Sequence, residues 1–161
     1  MYKYTICFIQ RGDKILMLNR ENPVWMGIWN GVGGKIEKGE TPLEGVLREV
    51  KEETGIELDH AEYKGTVTWS VDDSYIGGMY AFVAQLPETY DYYTPIKTDE
   101  GILDWKDISW VLHPENLGMA NLKYFLKTML SDSHTYDHRF KYRNGEVIDF
   151  KSEILDTTIF L

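Results

Sequence analysis

Hydrophobic residues along this chain fall into short runs that come in pairs, and each pair is separated by turn-forming residues. Short apolar runs bounded by glycine, asparagine or aspartate are typical of β-strands joined as hairpins. The last turn, Asn144-Gly145, is a strong signal for a type I′ hairpin. The predicted strands are 4–10 with 14–19, 62–71 with 78–86, 138–143 with 146–150, and a further strand at 101–105.

After residue 41 the period changes to that of an amphipathic helix, with apolar residues at i, i+3, i+4 and i+7. Thr41 and Glu44 form a capping box that begins the helix, and Pro42 suits its first position. Gly55 lies where a left-handed C-terminal cap belongs. The buried stripe is predicted to consist of Leu43, Val46, Leu47 and Val50.

A second amphipathic helix is predicted at about 115–130, and the segments 21–40 and 87–99 are predicted to be loops. A short helix or turn is predicted at 107–112. The buried side of the second helix would contain Leu117, Leu122, Phe125, Leu126 and Met129. Strands on both sides of one helix, with another helix late in the chain, indicate an α/β fold with a mixed sheet covered on both faces. We expect one domain over residues 1–161, because no repeat or linker interrupts the pattern.

Charge narrows the range of partners. The formal net charge is −9, which disfavours electrostatic binding to long nucleic acid or to an anionic membrane surface. A polyphosphate would also be repelled unless metal ions bridged it to the protein. The single cysteine, Cys7, lies in an apolar run and is expected to be a core residue in a reducing compartment. Without a secretory signal or a run of membrane-spanning length, we expect a cytoplasmic protein.

Three glutamates in the first helix suggest metal chemistry. Glu49, Glu52 and Glu53 stand at i, i+3 and i+4, so they share an arc of about 100° on one helix face. Carboxylates crowded in this way repel each other and weaken a helix unless cations lie among them. Oxygen ligands without cysteine or a nearby histidine favour Mg²⁺ or Mn²⁺ over zinc. Arg48 can hold Glu44 or Glu52, each four residues away.

The segment 34–56 resembles the Nudix hydrolase signature GX5EX7REUXEEXGU, where U is aliphatic, at every defined position. A solvated amphipathic helix would explain the charges, but not the glycines and caps that accompany them. The matching residues are Gly34, Glu40, Arg48, Glu49, Val50, Glu52, Glu53, Gly55 and Ile56. The resemblance implies an α/β/α sandwich with a mixed central sheet, and hydrolysis of a nucleoside diphosphate linked to another group.

The resemblance also implies roles for individual residues. Glu49 and Glu53 would be the main metal ligands, Glu52 would assist, and the Gly33 carbonyl would contribute. Arg48 would orient the glutamates. The supporting residues would be Glu40, Gly34 and Gly55.

One further candidate lies at an undefined position of the signature, and another lies beyond it. Lys35 would meet a phosphate, although an exposed lysine without a role is an equal alternative. Glu100 is the preferred base outside the signature, with Asp99 as the second choice; the alternative for both is a solvated acidic turn. The expected catalytic set is Glu53, Glu52, Glu100 and Arg48.

Beyond the signature, the chain resembles MutT-like oxidised-purine nucleoside triphosphatases. The resemblance rests on 29–35, on Asp99-Glu100 with Trp105, and on the hairpin 140–150. It implies that Asn30 hydrogen-bonds a purine and that Glu115 and Asn116 read the base edge; the alternative for Asn30 is a turn residue of the loop without a role in binding. The chain departs from the subgroup in having His113-Pro114-Glu115-Asn116, where tryptophan, proline and two aspartates are usual.

The expected partner is therefore a small-molecule nucleotide, with 8-oxo-dGTP cleaved to monophosphate and pyrophosphate as the first choice. Three alternatives stay open within the family: a generic dNTP, a nucleotide sugar or dinucleoside polyphosphate, and an RNA 5′ end. A non-catalytic nucleotide sensor is the alternative outside enzymes. Whether the protein is a monomer or a homodimer is left open.

Overall fold

The computed structural model describes residues 1–23 and 25–155, and over these residues nine strands form one sheet. The strands are β1 (Tyr4–Arg11), β2 (Lys14–Arg20), β3 (Trp29–Asn30), β4 (Glu62–Val71), β5 (Tyr75–Leu86), β6 (Ile96–Lys97), β7 (Gly101–Asp107), β8 (Tyr136–Arg143) and β9 (Glu146–Ile154). The helices are α1 (Pro42–Thr54), α2 (Ile108–Val111) and α3 (Leu126–Ser131). The strand order is β6-β7-β2-β1-β5-β4-β8-β9, and β3 pairs with β2.

The predicted hairpins are confirmed. Strands β1 and β2 are antiparallel and meet at Arg11 and Lys14, and Gly12 in the turn has a φ of 62°. Asn144 and Gly145 between β8 and β9 have φ values of 53° and 79°, as a type I′ turn requires. Strand β1 runs parallel to β5, and β4 runs parallel to β8, whereas the other pairs are antiparallel. The sheet is therefore mixed, as predicted.

Side chains alternate between the two faces of the sheet and build a core on each. Ile6 and Phe8 of β1 pack on the face that also carries α3. Cys7 and Ile9 point to the opposite face, where α1 contributes buried apolar residues. Cys7 is fully buried, in agreement with its expected place in the core. Helices on both faces of a mixed sheet confirm the α/β sandwich.

The prediction of one α-helix over 115–130 is wrong for residues 115–125. The α-helical part is α3 alone, preceded by a 3₁₀ turn at Leu122–Tyr124, and Leu117 is 79% exposed. The backbone of the earlier part bonds to β3 instead: Trp29 N–H donates to Gly118 O (2.8 Å), and Ala120 N–H donates to Trp29 O (3.1 Å). Asn121 then takes a left-handed conformation (φ 54°), which stops a helix from running through it.

The predicted loops contain the short strands β3 and β6, which form because neighbouring strands offer free backbone partners. In the described part of the chain, no helix has the length and apolar character needed to cross a membrane.

Candidate active site

Helix α1 begins and ends at the predicted caps. The Thr41 hydroxyl accepts a hydrogen bond from Glu44 N–H (3.1 Å). Gly55 is left-handed (φ 78°), and its N–H donates to Lys51 O (2.9 Å). Val46 and Val50 of the helix are fully buried in the core shared with β1. Because this stripe fixes the rotation of the helix, the glutamate face lies at the border of the core.

Arg48 connects several residues of the site through hydrogen bonds of its guanidinium. Its guanidinium donates two hydrogen bonds to Glu40 (2.7 and 2.9 Å), one to Glu49 (2.9 Å) and one to Glu52 (3.2 Å). A further N–H donates to the backbone carbonyl of Lys35 (3.0 Å). The hydrogen bonds to Glu40 raise the pKa of Arg48 and lower the pKa of Glu40. Arg48 therefore connects helix α1 to the preceding loop. It also holds one carboxylate oxygen of Glu49 and one of Glu52.

Two glycines allow the loop to come close to its neighbours. A Cβ on Gly33 would lie 2.1 Å from the backbone oxygen of Thr5, and a Cβ on Gly34 would lie 2.5 Å from the Glu49 carboxylate. The Gly34 carbonyl accepts from Thr5 N–H (2.9 Å), while the Gly33 carbonyl has no hydrogen bond to a described residue. Glycine is therefore a steric requirement at position 33, where the contact is with backbone, whereas a side chain at position 34 would displace the Glu49 carboxylate. The Gly33 oxygen stays available as a ligand.

Glu53 is the carboxyl of the site whose pKa is shifted most. Its Oε2 is buried and has no hydrogen-bond partner among the described residues. Burial, followed by the charges of Glu49 and Glu100, raises the pKa of Glu53 from 4.5 to about 8, while Arg20 acts in the opposite direction. A buried carboxylate oxygen without a partner is costly. A cation beside Glu53 would supply the missing partner and offset this cost.

The loop before β7 brings Asp99 and Glu100 to the same place. A cavity of about 420 Å³ is lined by Glu49, Glu52, Glu53, Lys97, Thr98, Asp99 and Glu100. Glu100 is held at both ends of its backbone, since its N–H donates to the Thr98 hydroxyl (3.1 Å) and its carbonyl accepts from Glu21 N–H (2.9 Å). The structure therefore joins the signature glutamates to the acidic pair more than 45 residues later.

The donor set of this cavity fits a divalent cation that prefers oxygen ligands. Five carboxylates line it, and the orphaned Glu53 oxygen lacks the partner that a cation would supply, whereas Gly33 is not among the lining residues. Over residues 1–23 and 25–155, no three His, Cys, Asp or Glu side chains already converge on one point as metal ligands. Arg48 accounts for part of this spread, because it draws oxygens of Glu49 and Glu52 to itself. A cation would have to bring the glutamates together.

A second, apolar cavity of about 530 Å³ contains Asn30. Its lining consists of Trp25, Asn30, Val67, Trp69, Val71, Met79, Ala120, Asn121, Phe125, Phe140, Tyr142 and Gly145. Asn30 Oδ1 accepts from Gly31 N–H (2.8 Å). Asn121 Nδ2 donates to the Tyr142 hydroxyl (2.6 Å). Two amides and a phenol in a pocket of aromatic side chains are suited to a planar heterocycle.

The structure does not bring all the predicted substrate residues to this cavity. Glu115 is exposed, and Asn116 uses its side chain in a turn, donating to Trp110 O (3.0 Å) and accepting from Gly118 N–H (3.1 Å). Neither Glu115 nor Asn116 lines the cavity. The chain that follows them is hydrogen-bonded alongside β3 and does not begin a helix. Lys35 is also exposed and outside both linings.

Asn121 and Tyr142 are polar wall residues that the sequence alone did not indicate. Asn121 lies inside the run whose pattern predicts a helix, and that pattern gives no reason to place its side chain in a pocket. The available signal was the pair Gly118 and Asn121, which is unfavourable inside a helix and common at its breaks.

The comparisons with known proteins agree with this geometry. The sequence profile of the NUDIX domain matches residues 2–144. The uncharacterized Nudix hydrolase YvcI of Bacillus subtilis (strain 168) is 31% identical over 121 residues, which cover 74% of this chain and 73% of the relative. The oxidized purine nucleoside triphosphate hydrolase of Mus musculus is 24% identical over 150 residues, which cover 90% of this chain and 89% of the relative.

A solved structure extends the likeness to the whole fold. The crystal structure of the mutator MutT protein from Bacillus halodurans matches with a TM-score of 0.79 at 28% identity, over 95% of this chain and 98% of that chain. The profile match includes α1, its glycine-rich approach and the acidic loop before β7. On the fold, the glutamate helix and these matches together, the chain belongs to the Nudix hydrolase family.

Proposed function

We propose that the protein is a divalent-metal-dependent pyrophosphohydrolase that cleaves oxidised purine nucleoside triphosphates, with 8-oxo-dGTP first, to monophosphate and pyrophosphate. The observation that supports this best is the presence of two unlike cavities in one fold. One is acidic and lined by Glu53 and Glu100, and the other is apolar and carries the amides of Asn30 and Asn121. A nucleoside triphosphate has the matching polarity, with a planar base at one end and phosphates at the other.

The base would lie in the apolar cavity. An amide offers a donor and an acceptor on one planar group, so Asn30 and Asn121 can complement the polar edge of a purine. Oxidation at C8 turns N7 of guanine from a hydrogen-bond acceptor into a donor. An amide oxygen can accept a hydrogen bond from the new N7–H, but not from the N7 of unmodified guanine. A polar site rejects the wrong base when its own buried groups lose their partners. The similarity to the oxidized purine nucleoside triphosphate hydrolase of Mus musculus supports an oxidised purine as the preferred base of the substrate.

The phosphates would lie in the acidic cavity. Nudix hydrolases generally use divalent metal ions such as Mg²⁺, and a bound cation supplies charge neutralisation and a more acidic attacking water. We assign Mg²⁺, with Mn²⁺ as a substitute, to Glu49, Glu53, Glu52 and the Gly33 carbonyl. Arg48 keeps Glu49 and Glu52 oriented through its hydrogen bonds. Glu100 would accept the proton of the attacking water on its carboxylate.

A substrate panel tests this function. We expect kcat/KM for 8-oxo-dGTP to exceed that for dGTP, a nucleotide sugar and a dinucleoside polyphosphate, with Mg²⁺ present and no turnover in EDTA. Glu53→Gln should lower kcat at least about a hundredfold, as expected for lost metal positioning. The matched control is Glu57→Gln, because Glu57 is an exposed glutamate just beyond the same helix. Full activity in EDTA, or faster turnover of the sugar or dinucleoside compound, would reject the proposal.

Base recognition is tested by comparing residues inside and outside the apolar cavity. Asn30→Ala and Asn121→Ala should narrow the preference for 8-oxo-dGTP over dGTP more than they lower kcat for dGTP. Glu115→Gln should leave the preference unchanged, because Glu115 is exposed and outside the lining. If Glu115→Gln changes the preference and Asn121→Ala does not, then the base is read by the segment that the sequence indicated.

A further inference from the structure

The connection between β5 and β6, residues 87–95, contacts the end of helix α1. Within it, the Tyr92 hydroxyl donates a hydrogen bond to Thr54 O (2.6 Å). Thr54 is the last residue of α1 and directly follows Glu53. The last carbonyls of a helix have no partner inside the helix, so a side chain from a distant segment satisfies one of them here. The segment 87–95 therefore holds the end of the helix that carries the glutamates.

The backbone of Tyr92 is anchored to strand β7. The indole N–H of Trp105 donates to Tyr92 O (2.9 Å), and the two rings meet edge to face with centroids 6.3 Å apart. The Arg11 guanidinium lies 4.3 Å from the Trp105 ring centroid, as in a cation–π contact, and donates to Tyr90 O (2.9 Å). Tyr92 therefore links α1, through its hydroxyl, to β7, through its carbonyl.

The same segment leads within a few residues to the acidic cavity. The Thr94 hydroxyl donates to Asp104 (2.7 Å) and accepts from Trp105 N–H (3.2 Å), so a second residue of the segment is fixed to β7. Strand β6 follows, and residues 97–100 line the cavity together with Glu53. The two acidic walls of the cavity, α1 and residues 97–100, are thus both connected to the segment 87–95.

Glu53 depends on this support more than the other glutamates of α1 do. Arg48 holds one carboxylate oxygen of Glu49 and one of Glu52. Glu53 Oε2, in contrast, has no hydrogen-bond partner among the described residues. The position of the Glu53 carboxylate is therefore set by the backbone of the last helical turn, which is the turn that Tyr92 holds.

We propose that Tyr92 is a positioning residue: by joining the end of α1 to β7, it fixes the spacing between Glu53 and the acidic residues Asp99 and Glu100 across the cavity. This inference rests on the proposed function, in that the spacing matters to a divalent cation held there. Mg²⁺ demands a nearly ideal octahedron of oxygens at short distances, whereas Ca²⁺ accepts a flexible arrangement with longer bonds. A looser spacing should therefore weaken Mg²⁺ binding and leave Ca²⁺ binding almost unchanged.

The test compares Tyr92→Phe with Tyr93→Phe. Tyr92→Phe removes only the hydroxyl and keeps the ring and the hydrogen bond from Trp105 to the backbone. Tyr93 is the matched control, because it is the next residue and is 83% exposed. In calorimetric titrations without nucleotide, we expect Tyr92→Phe to lower the Mg²⁺ affinity about threefold to tenfold, the size of one ordinary hydrogen bond. The Ca²⁺ affinity should change less than about twofold.

Two further measurements use the same variants. In the metal-free proteins, hydrogen exchange of the peptide that covers residues 49–56 should be faster in Tyr92→Phe and unchanged in Tyr93→Phe, because only the first variant releases the end of α1. With the nucleotide that the substrate panel ranks first, Tyr92→Phe should lower kcat about threefold to tenfold and leave KM within about twofold. The reason is that Tyr92 does not line the apolar cavity in which the base would lie.

Three results overturn the inference. They are a Tyr92→Phe variant with the Mg²⁺ affinity of the wild type, equal weakening of Mg²⁺ and Ca²⁺ binding, and equal effects of Tyr92→Phe and Tyr93→Phe. A wild type that binds neither cation overturns the metal assignment of the proposed function, and the inference falls with it. A wild type that binds Mg²⁺ but prefers a substrate other than 8-oxo-dGTP rejects that substrate alone, and the comparison of the two cations still decides the role of Tyr92.

Discussion

Glu53 should destabilise the folded protein when no divalent cation is present, so replacing it should raise stability while lowering kcat at least about a hundredfold. Its Oε2 is buried without a partner among the described residues, and Glu49 and Glu100 add negative charge nearby. Glu53→Gln keeps the shape and removes the charge. We therefore expect a higher melting temperature for the variant in EDTA at alkaline pH.

The magnitude follows from the pKa of Glu53, which rises from 4.5 to about 8 on folding. At 1.36 kcal/mol for each pKa unit, the shift corresponds to a ceiling of about 5 kcal/mol. Coupled carboxyls share their protons, so removing one charge recovers only part of this ceiling, about 2–3 kcal/mol. For a chain of this length, that gain raises Tm by roughly 5–10 °C.

The effect should depend on pH in a defined direction. Below pH 4.5 the Glu53 carboxyl is protonated in the folded and unfolded chains, so it contributes nothing to the pH dependence. Between pH 4.5 and about 8 only the unfolded chain ionises, so wild-type stability falls as pH rises. Above about pH 8 the loss is complete. The Tm difference between Glu53→Gln and the wild type should therefore widen from pH 5.5 to pH 8.5.

The assay is thermal unfolding followed by circular dichroism at both pH values, in EDTA and in Mg²⁺. Mg²⁺ should stabilise the wild type and have little effect on Glu53→Gln, because a ligand that binds only the folded protein raises its stability. Glu57→Gln serves as the control, since Glu57 is exposed and paired with Lys51 (2.7 Å). A Glu53→Gln variant that is less stable than the wild type at pH 8.5 in EDTA, or a difference that shrinks as pH rises, would refute this reasoning.

Two further predictions concern the surroundings of Glu53. Gly34→Ala should lower kcat/KM at least about tenfold and weaken Mg²⁺ binding in a calorimetric titration. The reason is that the new Cβ would lie 2.5 Å from the Glu49 carboxylate and displace it. A variant with the Mg²⁺ affinity of the wild type would contradict this. Glu100→Ala should lower kcat by about 10² to 10⁴, the usual contribution of a general base, and Asp99→Ala should do less. The reverse order would identify Asp99 as the base, and no effect in either variant would place the base on α1.

The sequence was sufficient wherever the information is local. Thr41, Pro42 and Gly55 specify the ends of α1 through bonds within a few residues, and both ends lie where predicted. The turn at Asn144-Gly145 is likewise specified by its own φ values. Glu49, Glu52 and Glu53 could be placed on one face of α1, with Arg48 beside that face, because helical spacing alone determines the arrangement.

Tertiary structure decided the features that depend on distant pairing. Residues 115–121 have an apolar pattern compatible with a helix, yet their backbone bonds to Trp29, about 90 residues earlier, and Asn121 enters the apolar cavity as a result. Helical periodicity reports only which side of a segment is apolar. The assembled sheet decides which strand has a free backbone edge for the segment 115–121. The pairing with β3 then places Asn121 in the apolar cavity.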